Sequence, residues 1–475
     1  MLIQFTVENY LSFKDKTVFS LLATGDDSHP EHLISNGSGK NKNVLRAAAI
    51  YGPNASGKSN LIKAMKFARD LILKGTEPDK AIAVKPFKLG TNLQQPSGFQ
   101  FIFTYKDIEY SYGFKLNRSV IIEEFLYGSP NGKEVKFFER FTSDELKTEA
   151  TFGPGLKNGS KERSRYLDYK KADTRPNQLL LTAIFEGNLK DKVSELEPVV
   201  RWFDSVLTII GAESKYRYLD IRVHDTESLK QFLATLLRAS DTGVQEVVTT
   251  ETPLDWDRDL HWILPEMRDR IVQKFSNLTH EENAIPRHEQ VLGIHGPQSS
   301  TVFIRQNEQG ELLLLRLLLR HAGEDGKLVD FRMNEQSDGT QRVIHLGPML
   351  FDLSEGRENV IVLDELDRRL HPHLSRLIVQ TALKCQNKNQ LLFTTHDTNL
   401  LDLDLLRRDE IWFVEKDKSG RSALYSLAEF KVRPDLQIEK GYLNGRFGAI
   451  PFIGDIGSLG WNEDPKTEEK ESIHA

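Results

Sequence analysis

The chain has 475 residues and one cysteine, Cys385. A lone thiol excludes a disulfide framework and a cysteine-rich zinc site, and it fits a reducing, cytoplasmic compartment. Long apolar runs are missing too. The nearest, residues 311–319, is broken by Arg316 and falls well short of the roughly 18 residues a membrane-spanning helix needs, so no membrane partner is expected. The first ten residues alternate like a strand and lack the basic-then-apolar order of a secretion signal. Positive charge is not in excess: the formal net charge is −6, which gives no support for a nucleic-acid-coating protein and leaves only a local basic patch. Hydrophobic content of 39% is somewhat low, as in a soluble globular protein with exposed helical surface. The length suits two or three domains.

What is present begins at residue 52. Gly52-Pro-Asn54-Ala55-Ser56-Gly57-Lys58-Ser59 fits Gly-x-x-x-x-Gly-Lys-[Ser/Thr], a phosphate-binding loop. The preceding residues 44–51 suit a buried strand. Residues 60–73 place Leu61, Ile62, Met65, Phe67, Ala68, Leu71 and Ile72 at helical spacing. Strand, glycine loop and helix together present backbone N–H groups and a helix N-terminus to a polyphosphate. Lys58 would reach the outer phosphates of ATP, the Ser59 hydroxyl would ligate Mg²⁺, and Asn60 opens the helix beside them. The nearby Gly39-Lys40 lacks both the upstream glycine and the strand.

Two later apolar runs end in chemistry. Residues 359–363 lead into Asp364 and Glu365. A buried strand that emits two carboxylates suits Mg²⁺-ATP hydrolysis: Asp364 would hold the metal, through water, and Glu365 would act as general base on the attacking water. Residues 390–395 lead into His396, placed to hydrogen-bond a γ-phosphate and sense its presence. Between loop and carboxylates, Glu335-Gln-Ser337-Asp-Gly339-Thr-Gln-Arg342 opens a helical run, and Ser337 and Gly339 at that start could bind an anion. The order of the four parts is more specific than any one of them.

Several segments now resemble a known class: Asn9-Tyr-Leu-Ser-Phe-Lys-Asp-Lys16, the stretch from Ile50 to Lys63, Glu335 to Arg342, Leu363-Asp-Glu-Leu-Asp-Arg-Arg-Leu-His-Pro372, Phe393-Thr-Thr-His396, and Tyr442-Leu-Asn-Gly-Arg-Phe-Gly-Ala-Ile-Pro451. The chain resembles the ABC-type ATPases of the SMC, RecF and OLD group, in particular bacterial abortive-infection, anti-phage ATP-binding proteins. The resemblance implies an α/β fold, an ABC/SMC-like P-loop ATPase head with a mixed sheet and an antiparallel β meander. It implies a head-to-tail homodimer in which Ser337 and Gly339 of one subunit cap ATP held by the other, with Asp367 at the subunit boundary. It also implies a separate effector, such as a nuclease or toxin. The long Leu-Ser-Gly-Gly-Gln signature of transporters is absent, which argues against a transporter subunit. The glutamine that couples nucleotide to the rest of such a head is not clearly marked; Gln178 and Gln100 are the candidates. A RecF/SMC-like DNA-repair or chromosome-maintenance ATPase is the rival reading.

The expected organisation is an N-terminal ATPase lobe over 1–178, a mainly helical insertion over 179–328, a C-terminal ATPase lobe over 329–460 and a flexible tail over 461–475. Strands at 99–104, 109–116, 120–127 and 134–141 form the meander. Residues 143–177 read as a mobile charged excursion; 179–210, 228–237, 260–275 and 310–321 read as helices. Three weaker signals remain. The basic segment 157–175, with Tyr166 and Tyr169, could touch nucleic acid but is diluted by Glu162, Asp168 and Asp173. His371-Pro-His373 lacks a third metal ligand. Asp402-Leu-Asp404 is followed by too little chain for a nuclease domain and reads as a solvated helix face.

Overall fold

A computed structural model describes residues 1–37, 43–90, 95–157, 160–186, 193–216, 218–278, 291–296, 301–307, 309–356, 358–385, 387–431 and 437–450. Gly39-Lys40, Pro451 and the 461–475 tail lie outside the described residues.

Two sheets frame the molecule. The first is antiparallel throughout, in the order Thr148–Phe152, Val135–Thr142, Ile121–Gly128, Ile108–Leu116, Ser97–Tyr105, Leu2–Glu8 and Thr17–Ser20. Four of its strands are the meander expected from alternation and turn residues. The second runs Leu207–Ile210, Val360–Leu363, Gln390–Thr394, Ala47–Tyr51, Ile411–Lys416 and Ser422–Ser426. Its first five strands are parallel and the last is antiparallel.

Ala47–Tyr51 is buried at every position, as a central parallel strand must be. Its two faces alternate. Ala48 and Ile50 join one core with helix Lys58–Lys74 and the antiparallel sheet. Ala47, Ala49 and Tyr51 join another core with helices Asp338–Ser354 and Pro372–Lys384. Helix Lys58–Lys74 is thus sandwiched between the two sheets, its start fixed by the loop that leaves Ala47–Tyr51.

A third sheet follows the order Val244–Pro253, Leu312–Ala322, Thr301–Gln306, Val291–His295, with Leu328–Arg332 pairing residues 318–322 of Leu312–Ala322 on the edge shared with Thr301–Gln306. This corrects the mainly helical reading of 179–328: helices Glu227–Ala239 and Pro265–Leu278 are there, but they share the region with a five-stranded sheet. The sharpest difference is at 310–321, a strand rather than a helix. Its Leu-rich sequence is apolar on both faces, so a period of 3.6 and a period of 2 fit equally. Pairing on both edges then overrides the helical preference of leucine. Likewise Leu207–Ile210 is a strand beside Val360–Leu363, so the nucleotide-site sheet takes its edge from a stretch that reads as insertion.

Segments 143–157 and 160–177 also carry regular structure. They hold strand Thr148–Phe152 and helix Lys161–Asp173, with Ser160 capping the helix through the Arg163 N–H. Only Leu167 of that helix is buried, which is why its sequence carries no helical stripe. The basic residues here serve packing in part: Arg163 pairs with Glu195 at 2.8 Å and Arg175 donates to the Thr76 carbonyl at 2.7 Å. Among the described residues, no helix is long and apolar enough to cross a membrane.

Candidate functional site

Three adjacent parallel strands end at one place. Ala47–Tyr51 delivers the glycine loop, Val360–Leu363 delivers Asp364 and Glu365, and Gln390–Thr394 leads to His396. Carboxyl ends of parallel strands are where open α/β sheets bind ligands. A pocket of about 320 Å³ lies there, lined by Asn54 to Asn60 together with Lys63, Glu365, His396 and Lys416.

The two loop glycines are demanded by geometry. Gly52 has φ +154° and a side chain on it would meet the Val414 carbonyl oxygen at 2.2 Å. Gly57 has φ +124° and a Cβ there would meet Ser422 Oγ at 2.3 Å. Neither position admits an L side chain. The loop is fastened from behind by hydroxyls: Ser12 Oγ accepts from Asn60 Nδ2 at 2.8 Å and from Ser422 Oγ at 2.7 Å. Ser12 sits in the Asn9–Lys16 motif, and this clamp gives that motif a physical task.

Lys58 is buried, and its Nζ donates to the carbonyls of Gly52 at 2.7 Å and Pro53 at 3.1 Å. Burial pulls its pKa down to about 8, against the upward pull of Asp364, Glu365 and Asp367. The Ser59 hydroxyl donates to Asp364 Oδ1 at 3.0 Å, and Thr394 Oγ1 donates to the same oxygen at 2.7 Å. A serine hydroxyl beside a carboxylate is the hard oxygen pair Mg²⁺ takes, so the residues present fit that ion.

Glu365 leaves its strand at φ +52°, a left-handed conformation uncommon outside glycine and costing on the order of 1–3 kcal/mol. Three contacts hold it. Its N–H donates to Thr394 Oγ1 at 2.7 Å, its carbonyl accepts from Arg342 at 3.2 Å, and its carboxylate pairs with Arg368 at 3.1 Å. Arg342 belongs to helix Asp338–Ser354, so the helix that Ser337 starts touches the backbone of the candidate base. His396 is exposed; its pKa is lowered by partial desolvation and by Lys58. Its N–H reaches the Asp367 carboxylate at 3.3 Å.

Ser337 caps its helix by accepting from the Thr340 N–H at 3.2 Å, and a side chain on Gly339 would crowd the Arg369 carbonyl at 3.1 Å. Neither residue lines the pocket. Nor do Gln178 and Gln100. Gln178 is buried and donates to Glu186; Gln100 donates to Ser111. Lys63 and Lys416 do line it and have no sequence signature; a loop–helix register and the neighbouring strand bring them there.

The weaker candidates are in structural use. His371 Nδ1 accepts from the His373 N–H at 3.3 Å as the cap of helix Pro372–Lys384, and Asp402 binds Arg376 at 2.7 Å.

The family model described as "AAA domain, putative AbiEii toxin, Type IV TA system" matches residues 47–171 and 216–402, more than half of the chain. No curated protein matches the chain. Among solved structures, the chain is similar to the SMC head domain from Thermotoga maritima, at 14% identity and TM-score 0.36, covering 91% of this chain and 99% of that one. It is similar to an SMC head bound to the C-winged helix domain of ScpA, at 12% identity and TM-score 0.41, covering 90% and 97%. For the recombination mediator RecF with ATPrS the values are 15%, 0.33, 89% and 98%. Such TM-scores add nothing to what the topology already shows. With its glycine loop, carboxylate strand and histidine strand ending side by side, the chain belongs to this AAA-domain family.

Proposed function

We propose that the protein binds and hydrolyses Mg²⁺-ATP as a head-to-tail homodimer, and that it serves as the sensor or scaffold of an anti-phage, abortive-infection system that controls a separate effector such as a nuclease or toxin. The observation that carries the hydrolytic part is the convergence of Lys58, the Ser59–Asp364 pair and Glu365 at three neighbouring strand ends. The loop amides and Lys58 would bind the phosphates. Ser59 and Asp364 would hold Mg²⁺, which supplies charge neutralisation on the phosphate oxygens when bound. Glu365 would take the proton of the attacking water, and His396 would read the γ-phosphate.

Dimerisation is supported by the helix start that carries Ser337 and Gly339. It is an exposed, anion-suited N-terminus that contributes nothing to its own chain's phosphate pocket. Supplied to a partner's pocket, it would make ATP the bridge between subunits, lost on hydrolysis. Ser337→Arg is therefore expected to keep ATP binding and lose turnover. Mixed with Lys58→Ala chains it should regain activity, since one of the two shared sites then has an intact loop and an intact cap. A mixture as inactive as either variant alone would exclude shared sites.

The defence role is supported by membership in a family described in toxin–antitoxin terms. Cells carrying the gene with its chromosomal neighbours should resist phage, and Lys58→Ala should abolish that resistance. Equal plating of phage on both strains would remove the defence role; ATP-dependent binding of duplex DNA by the chain alone would move the assignment to repair.

A further inference from the structure

At the opposite end of the parallel sheet from the pocket, His29, Glu31 and His32 gather beside Glu410. One ligand atom from each of the three lies within 4.8 Å of the others. His29 Nδ1 is 3.3 Å from Glu31 Oε1, and His32 Nε2 is 3.8 Å from the same oxygen. The two imidazoles are stacked, with centroids 4.8 Å apart.

The remaining nitrogens settle which way these rings face. His29 Nε2 lies 2.7 Å from the Leu403 carbonyl oxygen, which can only accept, so Nε2 carries the proton. His32 Nδ1 lies 3.0 Å from Glu410 Oε2, which already accepts from the Arg407 N–H at 2.8 Å, so Nδ1 is the donor there. Both neutral rings then turn a lone pair toward Glu31 Oε1. Three acceptors converge, and the convergence is relieved by a bound cation or by a proton on His29, which the Leu403 carbonyl and Glu31 favour against desolvation. A carbonyl and a buried carboxylate holding the far ring nitrogens are also the supports that metal-ligating histidines use to fix tautomer and orientation.

We propose that His29, Glu31 and His32 form a zinc-type site, with Glu410 and the Leu403 carbonyl as its outer supports. Two imidazoles and one carboxylate suit Zn²⁺ and similar ions better than Mg²⁺, and three protein ligands leave a fourth position to water. The three ligand atoms already lie within 4.8 Å of one another, and His29 and Glu31 are not fully buried, which leaves them room to turn toward the ~2 Å bond lengths of zinc. The ion would pin the turn at 29–32 to the segment 403–410, which is distant in sequence but runs into strand Ile411–Lys416. This site stands apart from the ATP reading, and neither depends on the other.

The test uses the full chain, nucleotide-free and stripped with chelator, titrated with Zn²⁺ alone in excess Mg²⁺ by calorimetry, with elemental analysis of the product. One zinc per chain and a zinc-dependent rise in the thermal midpoint are expected. His29→Ala and Glu31→Gln alter solvent-reaching side chains, so the fold should survive; zinc binding should weaken on the order of ten-fold or more and the thermal shift should vanish. The double change His371→Ala with His373→Ala should leave binding intact. Failure of the wild type to bind zinc, or equal affinity in both single variants, overturns the site.

Discussion

Glu365→Gln is expected to slow ATP turnover by roughly 10²- to 10⁴-fold while leaving nucleotide binding intact, because a positioned general base contributes about that much. The substitution keeps the shape of the side chain. It also keeps the backbone contacts that hold the left-handed turn, the N–H to Thr394 and the carbonyl to Arg342. The Ser59–Asp364 pair is untouched. What disappears is the charge that accepts the proton of water, and with it the ion pair to Arg368. If ATP bridges two subunits, the variant should therefore accumulate as a nucleotide-bound dimer, visible by light scattering after addition of ATP. Wild-type turnover by Glu365→Gln would exclude Glu365 as the base.

The same residues show which parts of the candidate site are visible in the sequence. The loop from Gly52 to Ser59 is legible because everything it needs is contiguous: two glycines at φ values closed to other residues, a lysine and a hydroxyl. The carboxylate and histidine strands are legible because a buried parallel strand is apolar throughout, so a charged residue at its end stands out. The support of the site is less visible. Ser12 and Ser422 are 410 residues apart and meet only through folding. Lys63 and Lys416 look like any solvated lysine. Residues 44–51 fall in two strands, Asn43–Leu45 and Ala47–Tyr51, with Arg46 between them donating to the Asn387 carbonyl. The five-stranded sheet is the largest feature the periodicity hid. Its longest strand, Leu312–Ala322, buries leucines in three separate clusters and so displays no single apolar face.

Lys58→Ala should weaken ATP binding roughly 100-fold or more. Two charge-assisted hydrogen bonds to phosphate contribute at least about 3 kcal/mol together, which is two decades in affinity. The wild-type residue should also make affinity depend on pH, and the sign follows from burial. In the free chain Lys58 titrates at about 8 rather than 10.5, because desolvation disfavours the ammonium more than Asp364, Glu365 and Asp367 favour it. Bound phosphates add negative charge and raise that value. Below pH about 8 the group is charged in both states and contributes no slope. Above it the free chain must take up a proton to bind, so affinity should fall by up to about ten-fold per pH unit until the bound-state value is reached. Folding stability has the opposite sign in this window. Between 8 and 10.5 the native chain binds fewer protons than the unfolded chain at this position, so the cost of burying the ammonium is relieved as pH rises. Isothermal titration from pH 7 to 10 on wild type and Lys58→Ala separates this group from the rest: the steep limb should be present in the first and missing from the second. Parallel profiles would place the titrating group elsewhere, and undiminished affinity in Lys58→Ala would remove the phosphate-loop assignment altogether.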